Sequence, residues 1–142
     1  MDSNYILVRV TAADVGLFAA VADDVFDAPI RPKRLRAFLR EPRHLMMVAL
    51  HEGRIVGQAR GQIHLSPDQA DSFFLDNLGV APSMQRLGIG RELVDGMFAW
   101  AKERGCQSGW LGTDPGNHAA RALYADRGGL ALHMVRVAFD QL

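Results

Sequence analysis

Short apolar stretches of strand-like and helix-like periodicity alternate along this chain of 142 residues, and neither kind of stretch is long. Read from the N-terminus, their predicted order is β-α-α-β-β-β-α-β-α-β. Strands separated by one or two helices favour an α/β (α+β) architecture, in which about four helices pack on the faces of a mixed sheet. No linker or low-complexity tract divides the sequence, so we expect one domain over residues 1–142.

The boundaries of the predicted elements follow from periodicity and from turn residues. Strands are predicted at 4–10, 44–50, 55–65, 73–80, 106–113 and 130–139, and helices at 11–26, 31–40, 88–104 and 114–129. Thr11 and Asp14 have the spacing of a capping box, and Gly128 and Gly129 mark the end of the last helix. Polar residues alternate with small or apolar ones over 58–64, which predicts a strand face open to polar contacts.

Composition and charge exclude several classes of protein. The 16 Lys and Arg residues equal the 16 Asp and Glu residues, and this balance argues against nucleic acid as the main partner. A single cysteine, no signal-like N-terminus and no apolar run of membrane-spanning length favour a cytoplasmic protein without membrane contact. The five histidines lack metal-ligand spacing, so no metal is expected.

The sequence QRLGIG, Gln85–Gly90, lies between a predicted strand and a predicted amphipathic helix. The first N–H groups of a helix have no partner within it, and the helix dipole places partial positive charge there. Because Gly88 and Gly90 carry no Cβ, an anion can approach the backbone closely, with Arg86 and Arg91 as additional donors. The alternative is a tight strand-to-helix turn with solvated arginines, since the spacing matches neither the Walker loop nor the dinucleotide-binding fingerprint.

Two stretches resemble the GCN5-related N-acetyltransferase (GNAT) family. LGVAPSMQRLGIGREL is similar to the family's acyl-CoA-binding segment, whose Gln/Arg-x-x-Gly-x-Gly/Ala signature opens a helix directly after a strand. DPGNHAARALYADRGG resembles the downstream Asn-x-x-Ala-x-x-x-Tyr element, with Asn117, Ala120 and Tyr124 at the matching positions. The order of strands and helices also matches along nearly the whole chain. Within the family, the chain is most similar to the small aminoglycoside 3-N-acetyltransferase-like group.

The resemblance implies a GNAT fold and direct transfer of acetyl from acetyl-CoA, as co-substrate, to a primary amine. It implies that the strand containing Gly79 splays from its neighbour, that the pantetheine arm fills the gap, and that Tyr124 protonates the departing thiolate. The residues it assigns to the coenzyme are Leu78, Gly79, Val80, Gln85, Arg86, Leu87, Gly88, Ile89, Gly90, Arg91, Asn117, Ala120 and Tyr124. A packing role is the alternative for Gly79 and Tyr124, and a helix-start role is the alternative for Asn117.

The group that takes the proton of the incoming amine is left open. Relatives that acetylate aminoglycosides tend to carry a carboxylate where this chain has Asn77, and an amide cannot act as a base. Three options remain: Asp76 through a bulge or a water, His64 from the neighbouring strand, or no dedicated base. Strand alternation predicts that Asp76 and Asn77 point to opposite faces. Asp76 is the catalytic residue that we predict alongside Tyr124.

Asp23, Asp24 and Asp27 end the first predicted helix, in the region where the resemblance places the acceptor pocket. They are interpreted either as an attraction for a polycationic amine or as a solvated turn. Thirteen residues follow Gly129, which is room for one strand instead of the hairpin of many relatives. A seventh strand is therefore expected to be missing, and the edge left open suggests a homodimer.

The function predicted from these features is acetyl-CoA-dependent N-acetylation of a small-molecule amine, with aminoglycoside-like compounds as one acceptor class. Two alternatives stay open. A non-catalytic acyl-CoA-binding or regulatory module would keep the loop and lack the base. An enzyme that acetylates a protein or peptide would need an extended acceptor groove.

Overall fold

A computed structural model describes residues 4–142 of the chain. That range contains five strands, three α-helices and two 3-10 helices, the latter at Ala12–Ala19 and Pro82–Met84. The strands are β1 (Ile6–Arg9), β2 (His44–His51), β3 (Arg54–His64), β4 (Ser72–Val80) and β5 (Ser108–Trp110). The α-helices are α1 (Pro32–Arg40), α2 (Ile89–Glu103) and α3 (His118–Asp126). No helix within residues 4–142 has the length and apolar character needed to cross a membrane.

The chain forms two compact units, Met1–Gly112 and Thr113–Leu142. The first unit is built on one sheet with the strand order β1-β2-β3-β4-β5. The first four strands pair antiparallel, and β5 pairs parallel with β4. The sheet is therefore mixed and mostly antiparallel, which confirms the predicted fold class. The expectation of a single domain over 1–142 stays a prediction.

Helix α2 packs an apolar stripe of helical spacing onto this sheet, in contact with β2, β3 and β4. Its buried residues are Ile89, Leu93, Val94, Met97 and Ala101. The packing is close, because a Cβ added at Gly57 would lie 3.0 Å from Ile89 Cγ2. Since Gly57 pairs with Val80, this contact holds the start of α2 beside the end of β4. The helix predicted over 88–104 is confirmed.

The segment predicted as a first helix over 11–26 is shorter than expected. A 3-10 helix spans Ala12–Ala19, and the backbone that follows bonds to β3 instead of continuing a helix. Ala22 N donates to Ile55 O at 2.8 Å, and Ile55 N donates to Ala20 O at 2.9 Å. Sheet-like pairing of this kind is a tertiary interaction, which overrides the helical pattern of the local sequence.

Three local signals in the sequence are confirmed. Thr11 and Asp14 form a capping box, in which Thr11 N donates to Asp14 Oδ2 at 2.7 Å. Pro32 lies in the first turn of α1. Gly128 follows α3 with a φ of 90°, and the backbone N–H of Gly129 also bonds back to the last turn.

The second unit contains α3 and a C-terminal tail. The strand predicted over 130–139 is wrong, because these residues are exposed and have no regular secondary structure. A strand needs a neighbour to receive its backbone hydrogen bonds, and none of the five strands lies within Thr113–Leu142. The tail therefore exposes a series of apolar side chains, at Leu130, Leu132, Met134, Val135, Val137 and Phe139.

Candidate functional site

The second half of β4 loses its neighbouring strand on one side. Pairing with β5 ends at Phe74, whereas pairing with β3 continues to Val80. Ala81 N donates to Val56 O at 2.8 Å, so the backbone groups of Ala81 face β3. Backbone groups alternate in direction along a strand, so those of Gly79 face β3 as well. The backbone groups of Leu78 and Val80 consequently face the open side. An extended ligand can bond with such an edge, as the splayed strands implied by the resemblance require.

A bulge and a glycine interrupt β4 at different positions. The register with β3 skips Asp76, which is the extra residue of a bulge. Asp76 is exposed there, while Asn77 is partly buried. Gly79 marks a close approach, because an added Cβ would lie 2.2 Å from Val25 O. The bulge that the Asp76 option requires is present, and the glycine makes room for the loop around Val25.

The loop Gln85–Gly90 has a backbone suited to an anion. Arg86 and Gly88 both adopt left-handed conformations, with φ values of 66° and 86°. Glu92 N donates to Gly88 O at 3.0 Å, so the N–H groups before Glu92 belong to the open first turn of α2. A Cβ added at Gly88 would meet no atom within 4 Å. Tight turns of this kind, at a helix start, gather N–H groups into a concave anion site.

The side chains of this loop differ in what they contact. Gln85 Nε2 donates to Val80 O at 3.2 Å, which ties the loop to the end of β4. Arg86 and Leu87 are exposed, and Arg91 is exposed in the first turn of α2. The side chain of Ile89 is buried in the core instead. Ile89 can therefore reach a ligand through its backbone, whereas the two arginines can use their side chains.

Four side chains, which we call the Gln58 network, form a chain of hydrogen bonds: Arg60, Gln58, Asn77 and Asp27. Gln58 is fully buried, and its Nε2 donates to Asn77 Oδ1 at 2.6 Å and to Val25 O at 3.2 Å. Asn77 Nδ2 donates to Asp27 Oδ2 at 3.1 Å. Arg60 Nη1 donates to Gln58 Oε1 at 3.3 Å. The strand face predicted to be open to polar contacts is thus buried at Gln58.

The other titratable candidates lie apart from this network. Asp23 and Asp24 are exposed on the loop that carries Asp27, and Asp24 has a φ of 64° in the turn. His64 pairs with Ser72 at the far end of β3, about 20 Å from Gln58 at about 3.3 Å per residue. Of the two base candidates, Asp76 precedes Asn77 in the sequence and so lies beside the network, whereas His64 is distant from it. Among residues 4–142, no three His, Cys, Asp or Glu side chains are grouped as metal ligands.

The second motif lies in the other compact unit, on α3. Asn117 Oδ1 accepts from Ala120 N at 3.1 Å, so Asn117 caps the helix and Ala120 supplies the capped N–H. The contact of Asn117 with a coenzyme stays a prediction. Tyr124 is partly buried, and burial raises the pKa of its hydroxyl above the ordinary value. The hydroxyl is therefore protonated at neutral pH, as a proton donor must be.

Sequence reasoning missed the connection between Gln58, Asn77 and Asp27. Gln58 had the pattern of an exposed strand residue, and only packing of the loop around Val25 buries it. The signal available in the sequence was the presence of two amide residues, Gln58 and Asn77, on neighbouring predicted strands, since buried amides require hydrogen-bond partners. Asp27 was left between a functional and a solvated interpretation, and its contact with Asn77 spans fifty positions of sequence.

Known proteins match this chain in sequence. Residues 17–129 match the family model described as the Acetyltransferase (GNAT) family. A curated relative, an uncharacterized N-acetyltransferase of Mycobacterium tuberculosis, is 31% identical over 102 residues. That alignment covers 72% of this chain and 63% of the relative, so this chain spans less than two thirds of the relative's length.

Solved structures share the fold at low sequence identity. An aminoglycoside acetyltransferase from an uncultured soil metagenomic sample, in complex with trehalose, has a TM-score of 0.81 at 20% identity, with 99% of this chain and 98% of that chain covered. Aminoglycoside N-acetyltransferase AAC(6')-Iy in complex with CoA has a TM-score of 0.78 at 16% identity, with 98% and 96% covered. At these identities the likeness shows the fold, and the aminoglycoside subgroup stays a prediction. Sequence match and fold agree that this chain belongs to the GNAT family of acetyltransferases.

Proposed function

We propose that this chain transfers acetyl from acetyl-CoA to a primary amine of a small molecule. The observation that carries the proposal is the open edge of β4, which ends beside the glycine loop at the start of α2. The backbone groups of Leu78 and the N–H of Val80 would bond with the pantetheine amides, while Val80 O accepts from Gln85 Nε2. The loop Gln85–Gly90 would hold the pyrophosphate with its N–H groups.

Three properties of the loop support a diphosphate as its ligand. Gly88 leaves open space above the backbone, where a side chain would stand in the way of a phosphate. Arg86 and Arg91 are exposed cations at the positive end of the helix dipole. Arg86 also keeps a left-handed φ that is unfavourable for a residue with a Cβ. Backbone strain of this kind concentrates at ligand sites.

The chemistry asks three things of this chain's residues. A backbone N–H at the open edge of β4 would donate to the thioester oxygen as negative charge develops there. Tyr124 would donate a proton to the departing sulfur, and Asn117 would contact the coenzyme arm. A nearby base would take a proton from the amine. Asp76 is the sequence-predicted candidate for that base, and the variant Asp76→Asn tests it by the rate of transfer.

The experiment that tests the proposal compares the two tyrosines of the chain. Release of free thiol from acetyl-CoA is followed with an amine panel of kanamycin, spermidine and a lysine peptide. Tyr124→Phe is expected to lower kcat by about 10²–10⁴-fold, the contribution of a positioned proton donor. Tyr5→Phe is the matched control, because Tyr5 donates to Glu92 and has a pKa of about 12 for that reason. An equal loss in both variants would remove the assigned role of Tyr124.

Aminoglycosides are the acceptor class we propose first. The support is the fold shared with proteins that carry this activity in their names. An exposed acidic loop, with Asp23, Asp24 and Asp27, suits a polycationic amine. Transfer to the lysine peptide with none to kanamycin would instead favour a protein acceptor.

A non-catalytic acyl-CoA-binding module is the second candidate function. The observation in its favour is Asn77, an amide at the position where the resemblance expects a carboxylate. This candidate predicts that acetyl-CoA binds, measured by isothermal titration, while no amine of the panel is acetylated. Binding together with turnover excludes it.

We also propose a homodimer in the cytoplasm. The exposed apolar tail, residues 130–139, would pair with a second copy of the chain. Light scattering at micromolar concentration should give twice the monomer mass of 15.6 kDa, and a monomer would reject the dimer. Cell fractionation tests the location.

A further inference from the structure

The loop after the first 3-10 helix brings one carboxylate, that of Asp27, to β4. Asn77 Nδ2 donates to Asp27 Oδ2 at 3.1 Å, and Asp27 itself remains exposed. Asn77 immediately precedes Leu78, whose backbone faces the open edge. We infer that Asp27, rather than Asp76, takes the proton of the acceptor amine, an inference that rests on the proposed acetyl transfer.

The direction of the hydrogen bonds in the Gln58 network determines which group meets Asp27. Gln58 uses its NH₂ group for Val25 O and Asn77 Oδ1, so Asn77 must accept with its oxygen. The NH₂ group of Asn77 is then the one that points to Asp27. Arg60 donates to the free oxygen of Gln58, so every bond runs from donor to acceptor toward the carboxylate. Asn77, which cannot be a base, thereby holds one.

The loop that carries Asp27 is seated directly on β4. Val25 is buried, its carbonyl accepts from Gln58, and that carbonyl lies where a Cβ of residue 79 would be. Glycine at position 79 is thus a condition for this seating. Two contacts on one short stretch of β4 hold this loop: Gly79 lies against Val25 O, and Asn77 donates to the Asp27 carboxylate.

Asp76 and Asp23 lack this support. Asp76 is the extra residue of the bulge and is exposed, on the same strand as Asn77. Asp23 is exposed on the Asp27 loop. The charged or titratable groups of the elements around Asp27 are Arg54, Arg60 and His64 of β3, Asp76 of β4, and Asp23 with Asp24 of its own loop. Of these, only Arg60 belongs to the network, which ends on Asp27.

The proposed step is balanced in atoms and charge. The ammonium of the acceptor gives one proton to the Asp27 carboxylate, and the free amine attacks the thioester carbon. The new C–N bond forms and the C–S bond breaks. The departing sulfur takes the proton of the Tyr124 hydroxyl, and the nitrogen gives its second proton, through water, back to the Tyr124 oxygen. One proton therefore ends on the thiol, and the other leaves Asp27 for solvent.

The test measures kcat/KM for the amine panel from pH 6 to pH 9.5, with acetyl-CoA saturating. Asp27→Asn should lower kcat/KM by about 100-fold at pH 7, within the range of general base catalysis. The deficit should shrink as pH rises, because free amine then forms without the enzyme. The KM for acetyl-CoA should be unchanged. The control is Asp68→Asn, which removes the same charge from the exposed loop between β3 and β4 and should stay within about threefold of wild type. Asp76→Asn, the rival base, should lose much less activity than Asp27→Asn.

A positioning role for Asn77 adds a second readout. Asn77→Ala should lower kcat/KM less than Asp27→Asn, and the double variant should be no slower than Asp27→Asn alone. Additive losses would show that Asn77 acts independently of Asp27. Circular dichroism and urea denaturation verify that each variant is folded.

The outcomes separate this inference from the function on which it rests. A large loss in Asp76→Asn with none in Asp27→Asn overturns the inference, as does an Asp27→Asn deficit that stays constant with pH. Binding of acetyl-CoA without any turnover by the wild type also overturns it, since no amine is then deprotonated. Failure of the wild type to bind acetyl-CoA overturns the proposed function itself.

Discussion

The glycine loop at Gln85–Gly90 and the Gln58 network both contact the second half of β4, and different interactions build them. The loop is local, since two left-handed residues and a helix start create it within a few positions. The network joins side chains from β3, β4 and the loop around Val25, which are far apart in sequence. Substitution of its own glycines should therefore disturb the loop, and substitution of the single buried amide, Gln58, should disturb the network.

The largest effect is expected from Gln58→Leu. This change keeps a similar volume but removes the donor from Asn77 Oδ1 and Val25 O. A buried polar group without a partner costs about 1–3 kcal/mol. We expect the free energy of unfolding, measured in urea, to fall by about 2–3 kcal/mol. The Kd for CoA should stay within about twofold of wild type, because the loop does not depend on the network.

Gln62→Leu is the matched control, since Gln62 is exposed on the same strand. Its unfolding free energy should change by no more than about 0.5 kcal/mol. If Gln58→Leu reduced the binding free energy of CoA by as much as it reduced the free energy of unfolding, the loop and the network would be energetically coupled. The contrast between a local loop and a long-range network would then fail.

Gly79→Ala tests the contact between β4 and the loop around Val25, with a slightly smaller expected loss of stability. The added Cβ would lie 2.2 Å from Val25 O, so backbone must move, at about 1–3 kcal/mol. Gly61→Ala makes an equal clash, 2.2 Å from Phe74 O, away from the Asp27 loop. We expect similar stability losses in urea but a lower rate of amine acetylation for Gly79→Ala alone. Equal loss of activity in both variants would attribute it to instability.

The two regions also differ in how far the sequence predicted them. The loop and the helix that follows were predictable, because the apolar periodicity and the glycine at the helix start are local signals. The burial of Gln58 was not, since it depends on a loop more than thirty positions away. The 11–26 helix and the 130–139 strand failed for the same reason. Each has the local pattern of its predicted element. The segment after Ala19 pairs with β3 instead of continuing a helix, and the 130–139 segment has no strand partner within its unit.

Gly88→Ala should separate backbone strain from ligand contact. Gly88 and Gly53 both have positive φ values, 86° and 75°, and an added Cβ meets no atom within 4 Å at either position. Alanine should cost each variant about 1 kcal/mol of unfolding free energy. Only Gly88→Ala should raise the Kd for CoA, by about tenfold or 1.4 kcal/mol, because its methyl group stands at the proposed phosphate site. An unchanged Kd in titration calorimetry would reject that site.

The smallest effect is expected from Arg86→Gly. Arg86 keeps a φ of 66°, and Glu52 in the β2–β3 turn keeps a φ of 52°. Glycine relieves about 1–2 kcal/mol of left-handed strain but loses about 0.5–1 kcal/mol through the freedom of the unfolded chain. Arg86→Gly and Glu52→Gly should therefore each be more stable in urea, by about 0.5 kcal/mol.

The two variants should differ in CoA binding. Arg86→Gly alone should weaken binding and reduce its dependence on salt, because a cation is lost from the loop. If Arg86→Gly instead bound CoA as tightly as wild type at every salt concentration, the strained arginine would have no part in the anion site. The loop would then hold its ligand by backbone N–H groups alone, and its affinity for the anion would depend only on the local backbone conformation.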